Sequence, residues 1–451
     1  MPDFLTLANH CANPRQGTQP NGLPYYDGQG TLTEEMRWLR SFIDEGYLWY
    51  KEVPANLNMA DYKTVLDYFA VLKTPLITAS GQPKDRFHFT YPSEVWEAMS
   101  GAGVTLGYGI TWSRSTGATP RVYVVTMVEP DSPASKAGVL RGDTLVSVDG
   151  ADATTSTALA ALSPTAAGQT HAFALKRGES TQTFSLTSQK VTEAAVQNTR
   201  VISTSTGAVG YLQFNDHNAI AERQLLDAFT TLKAANVSDL VLDMRYNGGG
   251  YLLVASELAY MIAGPAATDG KVFERLQLND KRPPQAPQMF RTVSYGLAPT
   301  SLKAGVTLPY LGLKRVTVLT TAGTCSASES VINSLRGIDV EVNLIGGETC
   351  GKPYAFVPQE NCGTTYFAIQ MQGANNKGFG DYADGFQATC KADDDLDHAL
   401  GDSSERLLAT ALSYRANGVC PATPLRARSS SSTGPLQLLR PVGKEIALRP
   451  R

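Results

Sequence analysis

From Val201 to about Ala416 short apolar runs alternate with segments of helical periodicity, and this alternation constrains the fold more than any other feature of the chain. The runs Val209 to Phe214, Asp239 to Met244, Val316 to Thr320 and Val340 to Ile345 read as buried strands. Ala221 to Ala235, the stretch around Leu252 to Ile262, and Ala327 to Leu335 read as helices between them. Strands separated by helices imply a mainly parallel sheet with helical cover, in which binding groups gather at the carboxyl ends of the strands.

Two other textures precede this core. Met36, Leu39, Phe42, Ile43, Tyr47 and Leu48, then Tyr62, Val65, Leu66 and Phe69, recur at helical spacing, with Thr31 or Thr33 as an N-cap. Between Val95 and Lys190 the chain turns to β-branched runs punctuated by glycine: Arg121 to Met127, Thr144 to Val148, Ala172 to Lys176 and Thr181 to Leu186. Beyond Arg426, Ser429 to Ser432 open a stretch with neither helix nor strand period, which predicts a flexible tail. The expectation is an α/β multidomain chain: a helical N-terminal region over 1–94, a β-rich module over 95–190, an α/β core over 191–425 and a tail over 426–451.

With a net charge of -3 and only 18% charged residues, the chain carries no electrostatic footprint for nucleic acid. It has no apolar run long enough to span a bilayer, and Met1 to Pro14 lacks the pattern of an export signal. The 6 cysteines show no CxxC spacing, which argues against zinc. Disulfides or buried free thiols remain as the two readings. Disulfides would mean an oxidising compartment, the periplasm or cell envelope, with an export signal removed ahead of Met1. Asp393-Asp394-Asp395-Leu396-Asp397 lacks the glycine and terminal glutamate of a calcium loop and predicts a solvated loop. Neither a metal nor an organic cofactor is expected.

Chemistry concentrates after the strands. Ser326 falls where Val316 to Thr320 turns into the helix from Ala327, so its hydroxyl meets the positive helix end and the Ala327 N–H can face a developing oxyanion. Asp243-Met244-Arg245-Tyr246-Asn247-Gly248-Gly249-Gly250 supplies a second donor, since glycine lets backbone approach a substrate closely. Gly351-Lys352 supplies a base, provided that burial holds an amine with an ordinary pKa of about 10.4 neutral. Tyr354 and Phe356 are the expected apolar wall, and activity should then rise from neutral to mildly alkaline pH. Taken singly, Ser326 is also a good helix N-cap and Lys352 an ordinary surface lysine. Glu329 reads as a first-turn residue facing the helix dipole. If Ser326 and Lys352 meet, Cys325 and Cys350 must lie close and can pair.

Val128 to Val139, leading into Arg141-Gly142-Asp143-Thr144 and on to Gly150, resembles a PDZ domain, with Gly107-Tyr108-Gly109-Ile110 in the place of the carboxylate-binding loop. That resemblance implies capture of peptide C-termini by strand addition. Together, Ser326-Ala327-Ser328-Glu329, Gly351-Lys352 and Asp243 to Gly249 resemble the carboxyl-terminal processing, or tail-specific, serine proteases. The family implies Ser326 as nucleophile, Lys352 as general base, an oxyanion hole from Gly248 or Gly249 with Ala327, and unfolded or C-terminally exposed polypeptides as substrates. It leaves open a homodimer through the helical region. Two departures stand out: the Ser326 to Lys352 interval is one residue longer than usual, and Phe356 replaces the glutamine that positions the lysine. Gln359 and Glu329 are the candidates to replace it. A histidine base, as in the related tricorn proteases, would have to be His217. The rival class is a non-catalytic binding protein on the same scaffold, as in interphotoreceptor retinoid-binding protein.

Overall fold

Thr31 opens the first helix by accepting the Glu34 N–H on its hydroxyl at 3.2 Å, and α1 runs over Leu32–Gly46 with Met36, Trp38, Leu39, Phe42 and Ile43 buried. Thr64 caps α2, Val65–Val71, in the same way. β1 (Phe89–Pro92) and α3 (Ser93–Ala102) follow. The computed structural model describes residues 2–19, 22–78, 80–117, 119–422 and 436–439, with the backbone of 447–448.

The helical region does not have a core of its own. Trp38, Phe42, Phe69 and Phe89 share one aromatic cluster with Tyr354, Phe356, Tyr366 and Phe367. β1 pairs antiparallel with Thr364–Phe367, and a Cys11–Cys362 disulfide ties the same two parts of the chain.

The β-rich module contains β2 (Val104–Gly107), β3 (Ile110–Ser115), β4 (Tyr123–Val128), α4 (Pro133–Ala137), β5 (Thr144–Val148), α5 (Ser156–Ala161), β6 (Thr170–Arg177), β7 (Ser180–Thr187) and β8 (Gln189–Thr192). Its antiparallel sheet runs β7-β6-β5-β4-β3, over a core that includes Trp112, Val125 and Phe173. β2 pairs instead with β8.

The core comprises β9 (Val196–Thr204), β10 (Gly207–Phe214), α6 (Ala221–Ala234), β11 (Asp239–Asp243), β12 (Gly250–Tyr251), α7 (Leu252–Ala263), β13 (Arg315–Thr320), α8 (Ala327–Gly337), β14 (Glu341–Gly346), β15 (Cys390–Lys391) and α9 (Arg406–Asn417). β9 is antiparallel to β10, and β10, β11, β13, β14 and β15 follow in parallel. Period-two alternation sorts the faces. Leu212, Leu240, Leu242, Val318 and Leu344 pack under α6, α7 and α8, whereas Tyr211, Val241, Leu319 and Ile345 pack under α9. Among the described residues no helix is long and apolar enough to cross a membrane.

One buried acid under this cover gives a pH test. Burial, helped by neighbouring Glu222, pushes the Glu257 carboxyl up to about 9. Folded, it keeps its proton across neutral pH, whereas the unfolded chain releases it near the ordinary value of 4.5. Its contribution to stability is therefore full at low pH and is lost as pH rises towards 9, by at most about 1.4 kcal/mol per pH unit. Glu257→Gln, neutral throughout, is expected to melt increasingly above the parent between pH 5 and pH 9; melting curves that shift in parallel would contradict this.

Two expectations are corrected. The acidic run is not simply a solvated loop, because the fully buried Arg245 recruits counter-charge from it. Arg245 Nη1 and Arg141 Nη2 both reach Asp394 Oδ1, at 2.8 and 2.7 Å, while Arg141 Nη1 donates to the Tyr246 hydroxyl at 2.6 Å. Burial would raise the Asp394 pKa, but Arg141 and Arg245 outweigh it and hold the carboxyl down to about 2. The tail over 426–451 is not wholly irregular either. Leu436–Leu439 form β16, antiparallel to β3, and Ala447–Leu448 form β17, parallel to β12. Strands this short carry no readable period, and an open sheet edge supplies their partners. The other tail residues lie outside the described residues.

Candidate active site

Ser326 occupies the N-cap of α8, directly after the turn that ends β13, with φ 59° and ψ -114°. That conformation is uncommon for a residue with a side chain and marks a backbone held under constraint. The hydroxyl is fully buried and makes no hydrogen bond among the described residues. An ordinary N-cap would spend its side-chain oxygen on a backbone N–H, so the strained backbone and the unpartnered hydroxyl set Ser326 apart from one.

The constraint comes from Glu329, itself fully buried. One of its oxygens accepts the backbone N–H of Ser326 at 2.9 Å and that of Lys352 at 2.8 Å. The other accepts the Gly351 N–H at 2.9 Å and the Thr349 hydroxyl at 2.5 Å. Burial pushes this carboxyl up, while Thr349 and the three backbone donors pull it back. A Cys325–Cys350 disulfide and a 3.0 Å hydrogen bond from Cys350 N–H to the Thr324 carbonyl span the same two turns. Glu329 is thus a clamp between the segments after β13 and β14, a role its position in the first helical turn did not disclose. Of the two candidates to replace the glutamine, it holds the backbone of Lys352, whereas Gln359 opens a strand that pairs with Thr364–Phe367.

The Lys352 amine lies over two aromatic faces, 4.2 Å from the Phe356 ring centroid and 4.5 Å from that of Phe87. Phe356 is therefore part of the wall around the amine, and it packs edge-on against Phe89 and Phe367 in the shared aromatic cluster. Tyr354, expected as the second wall, packs on Trp49 at 5.1 Å instead, and Phe87 comes from the N-terminal region. Ser326 and Lys352, both buried, stand on adjacent turns without a hydrogen bond from the Ser326 hydroxyl to the Lys352 amine.

Asn247 joins the third turn to the first. Its carbonyl accepts the Cys325 N–H at 3.0 Å and the Ser328 hydroxyl at 3.1 Å. Its side-chain oxygen accepts the Gly249 N–H at 3.0 Å and meets His217 Nδ1 at 3.0 Å. Among the described residues the N–H groups of Gly248 and Ala327 have no acceptor. Gly250, at φ 136°, lies so close to His217 that a Cβ would come within 2.6 Å of its carbonyl oxygen, which explains the glycine. His217 is fully buried against Phe214, burial drives its pKa down to about 3, and its Nε2 has no hydrogen-bond partner. Its surroundings keep the ring neutral. Asn247 was foreseeable only as a polar residue within a glycine-rich strand end.

Cys325, Glu329 and Cys350 place three potential ligand atoms within 4.8 Å of one another. Both sulfurs are spent on the disulfide and the carboxylate on its donors, so the cluster does not offer a ligand set. In the β-rich module, Gly107-Tyr108-Gly109-Ile110 joins β2 to β3, with Tyr108 buried on Phe173 and the Gly109 carbonyl accepting the Glu129 N–H at 2.8 Å. A cavity of about 430 Å³ lined by Arg15, Tyr25, Glu94, Trp96 and Tyr251 adjoins the His217 side of the site.

Comparison with known proteins agrees with this architecture. Residues 208–372 match peptidase family S41, residues 105–187 a PDZ domain, and residues 34–91 the peptidase S41 N-terminal domain. The chain is 26% identical over 236 residues to the chloroplastic carboxyl-terminal-processing peptidase 2 of Arabidopsis thaliana, covering 49% of this chain and 44% of that protein. It is 27% identical over 340 residues to the chloroplastic C-terminal processing peptidase of Tetradesmus obliquus, covering 69% of this chain and 66% of that protein. The matched region thus spans from under half to about two thirds of these relatives. A crystal structure described as an S41 protease from Bacteroides fragilis superposes with a TM-score of 0.66 at 24% identity, covering 85% of this chain and 97% of that one, a likeness of fold.

Proposed function

The chain belongs to peptidase family S41, and from that premise we propose that it is a serine endopeptidase that cleaves polypeptides near their C-termini with Ser326 as nucleophile and Lys352 as general base. The observation that carries this reading is the Glu329 carboxylate, which takes the N–H of both residues and so fixes the two turns beside the glycine loop.

Lys352 removes the Ser326 proton as Oγ attacks the scissile carbonyl, and the oxyanion forms against the N–H groups of Gly248 and Ala327. Gly249, the other donor considered, already gives its N–H to Asn247. The Lys352 ammonium then protonates the departing amine, and water hydrolyses the acyl-enzyme. The gap between hydroxyl and amine closes as substrate enters, since catalytic hydrogen bonds tighten in the bound complex.

The PDZ domain grips the substrate tail at Gly107, Tyr108, Gly109 and Ile110. Through Arg141 and the Tyr246 hydroxyl it touches the turn that carries Asn247 and Gly248. Three disulfides, Cys11–Cys362, Cys325–Cys350 and Cys390–Cys420, fit an oxidising compartment such as the periplasm or cell envelope. One observation favours a second reading, a non-catalytic binder: the Lys352 amine faces two rings and not the Ser326 hydroxyl.

An unfolded polypeptide with a free apolar C-terminus separates the two. Wild-type protein is expected to cleave it, Ser326→Ala to lose at least about 10⁴-fold in kcat/KM, and C-terminal amidation to raise KM. Absence of cleavage by wild type, with binding retained, would favour the binder.

A further inference from the structure

We propose that the peptide-accepting edge of the PDZ domain is already filled in cis by the chain's own strand β16, which an incoming polypeptide tail must displace. The inference rests on the reading that this domain grips substrate tails. β16 adds to β3 in antiparallel register, Leu436 opposite Ser115, Gln437 opposite Arg114, Leu438 opposite Ser113 and Leu439 opposite Trp112. Its direction carries the chain towards the Gly107 to Ile110 loop, the direction in which a bound C-terminus runs.

Side chains seat it as well as backbone. Arg114 donates from Nε and Nη2 to Gln437 Oε1 at 3.1 and 2.8 Å. Leu439 packs on the PDZ core beside Trp112, while Leu438 joins Met127 to Tyr246 and Leu400 of the catalytic core. The edge therefore selects an extended segment with a hydrogen-bond acceptor facing Arg114 and apolar residues after it, the stated chemistry of the substrate tails that compete for it.

A second pairing makes the tail a competitor and not a substrate in transit. β17 lies parallel to β12, with Ala447 opposite Gly250 and Leu448 opposite Tyr251, directly after the glycine loop. In this chain the PDZ-seated strand comes before the site-seated one. A substrate held by its C-terminus and cut upstream needs the opposite order.

The test uses the full chain carrying Ser326→Ala, and a fluorescein-labelled peptide reproducing residues 436–439 with a free C-terminus. Anisotropy titrations compare this background with one that adds Gln437→Lys and Leu439→Asp. A tethered strand acts at an effective concentration of the order of millimolar, so releasing it is expected to tighten peptide binding about tenfold or more. Circular dichroism should not change, and amide exchange along β3 should accelerate. Equal affinity in both backgrounds, or no binding to either, would overturn the proposal. Because neither background turns over substrate, tighter binding to the released chain together with a wild-type enzyme that cleaves nothing would sink the protease reading and leave the cis competition standing.

Discussion

Glu329→Ala is expected to lower kcat/KM by about 10³-fold while leaving the chain folded. The substitution removes one carboxylate and strands the N–H groups of Ser326, Gly351 and Lys352 and the Thr349 hydroxyl, all of which now donate to it. Each buried donor without an acceptor costs about 1–3 kcal/mol. The turns relieve that cost by moving apart until water or other groups reach the donors, and nucleophile and base lose register. The Cys325–Cys350 disulfide still tethers the segments, so the damage stays local. Hydrogen exchange should quicken at residues 326–329 and 349–352 and hold elsewhere. Glu329→Gln keeps the shape but turns an NH2 group towards N–H donors, so it should rescue little. Activity within tenfold of wild type, with exchange unchanged, would show that Glu329 is only a first-turn helix residue.

Lys352→Ala is expected to cost about 10²- to 10⁴-fold in kcat/KM, the range for loss of a general base. His217→Ala should cost far less, on the order of tenfold, through Asn247 alone. The contrast matters because His217 is chemically able: it is neutral, and its Nε2 has no partner. Backbone ties favour Lys352 as the proposed base. Glu329 ties the Lys352 backbone to Ser326 through one carboxylate oxygen, whereas the His217 ring is tied to Asn247. If His217→Ala proved the more damaging change, the base would have to be reassigned.

Much of the catalytic core could be read from its residues, because a strand buried on both faces and a helix buried on one leave a local signature. β11 and α6 fall within one residue of their expected limits, and Ser326 lies at the predicted strand-to-helix turn. What remained hidden were partners distant in the chain. Apolar periodicity shows that Phe42 and Phe69 are buried but not that Tyr366 and Phe367 bury them. For the same reason Phe356 could be read as apolar wall around Lys352, but not as part of a cluster built jointly with the N-terminal region, which contributes Phe87. Asp394 looked solvated because its counter-charges, Arg141 and Arg245, sit in other elements. β16 was illegible because four residues are too few to show alternation, and the β3 edge that orders it lies far earlier in the chain.

The central claim is that Lys352 activates Ser326, and labelling with a fluorophosphonate tests it without any substrate or PDZ engagement. Peptide mapping by mass spectrometry should find the adduct on Ser326 in wild type and in His217→Ala, at rates that rise from neutral to mildly alkaline pH. Lys352→Ala should label at least about 10²-fold more slowly. Undiminished labelling of Lys352→Ala together with loss in His217→Ala, or an adduct on any other serine, would contradict the account.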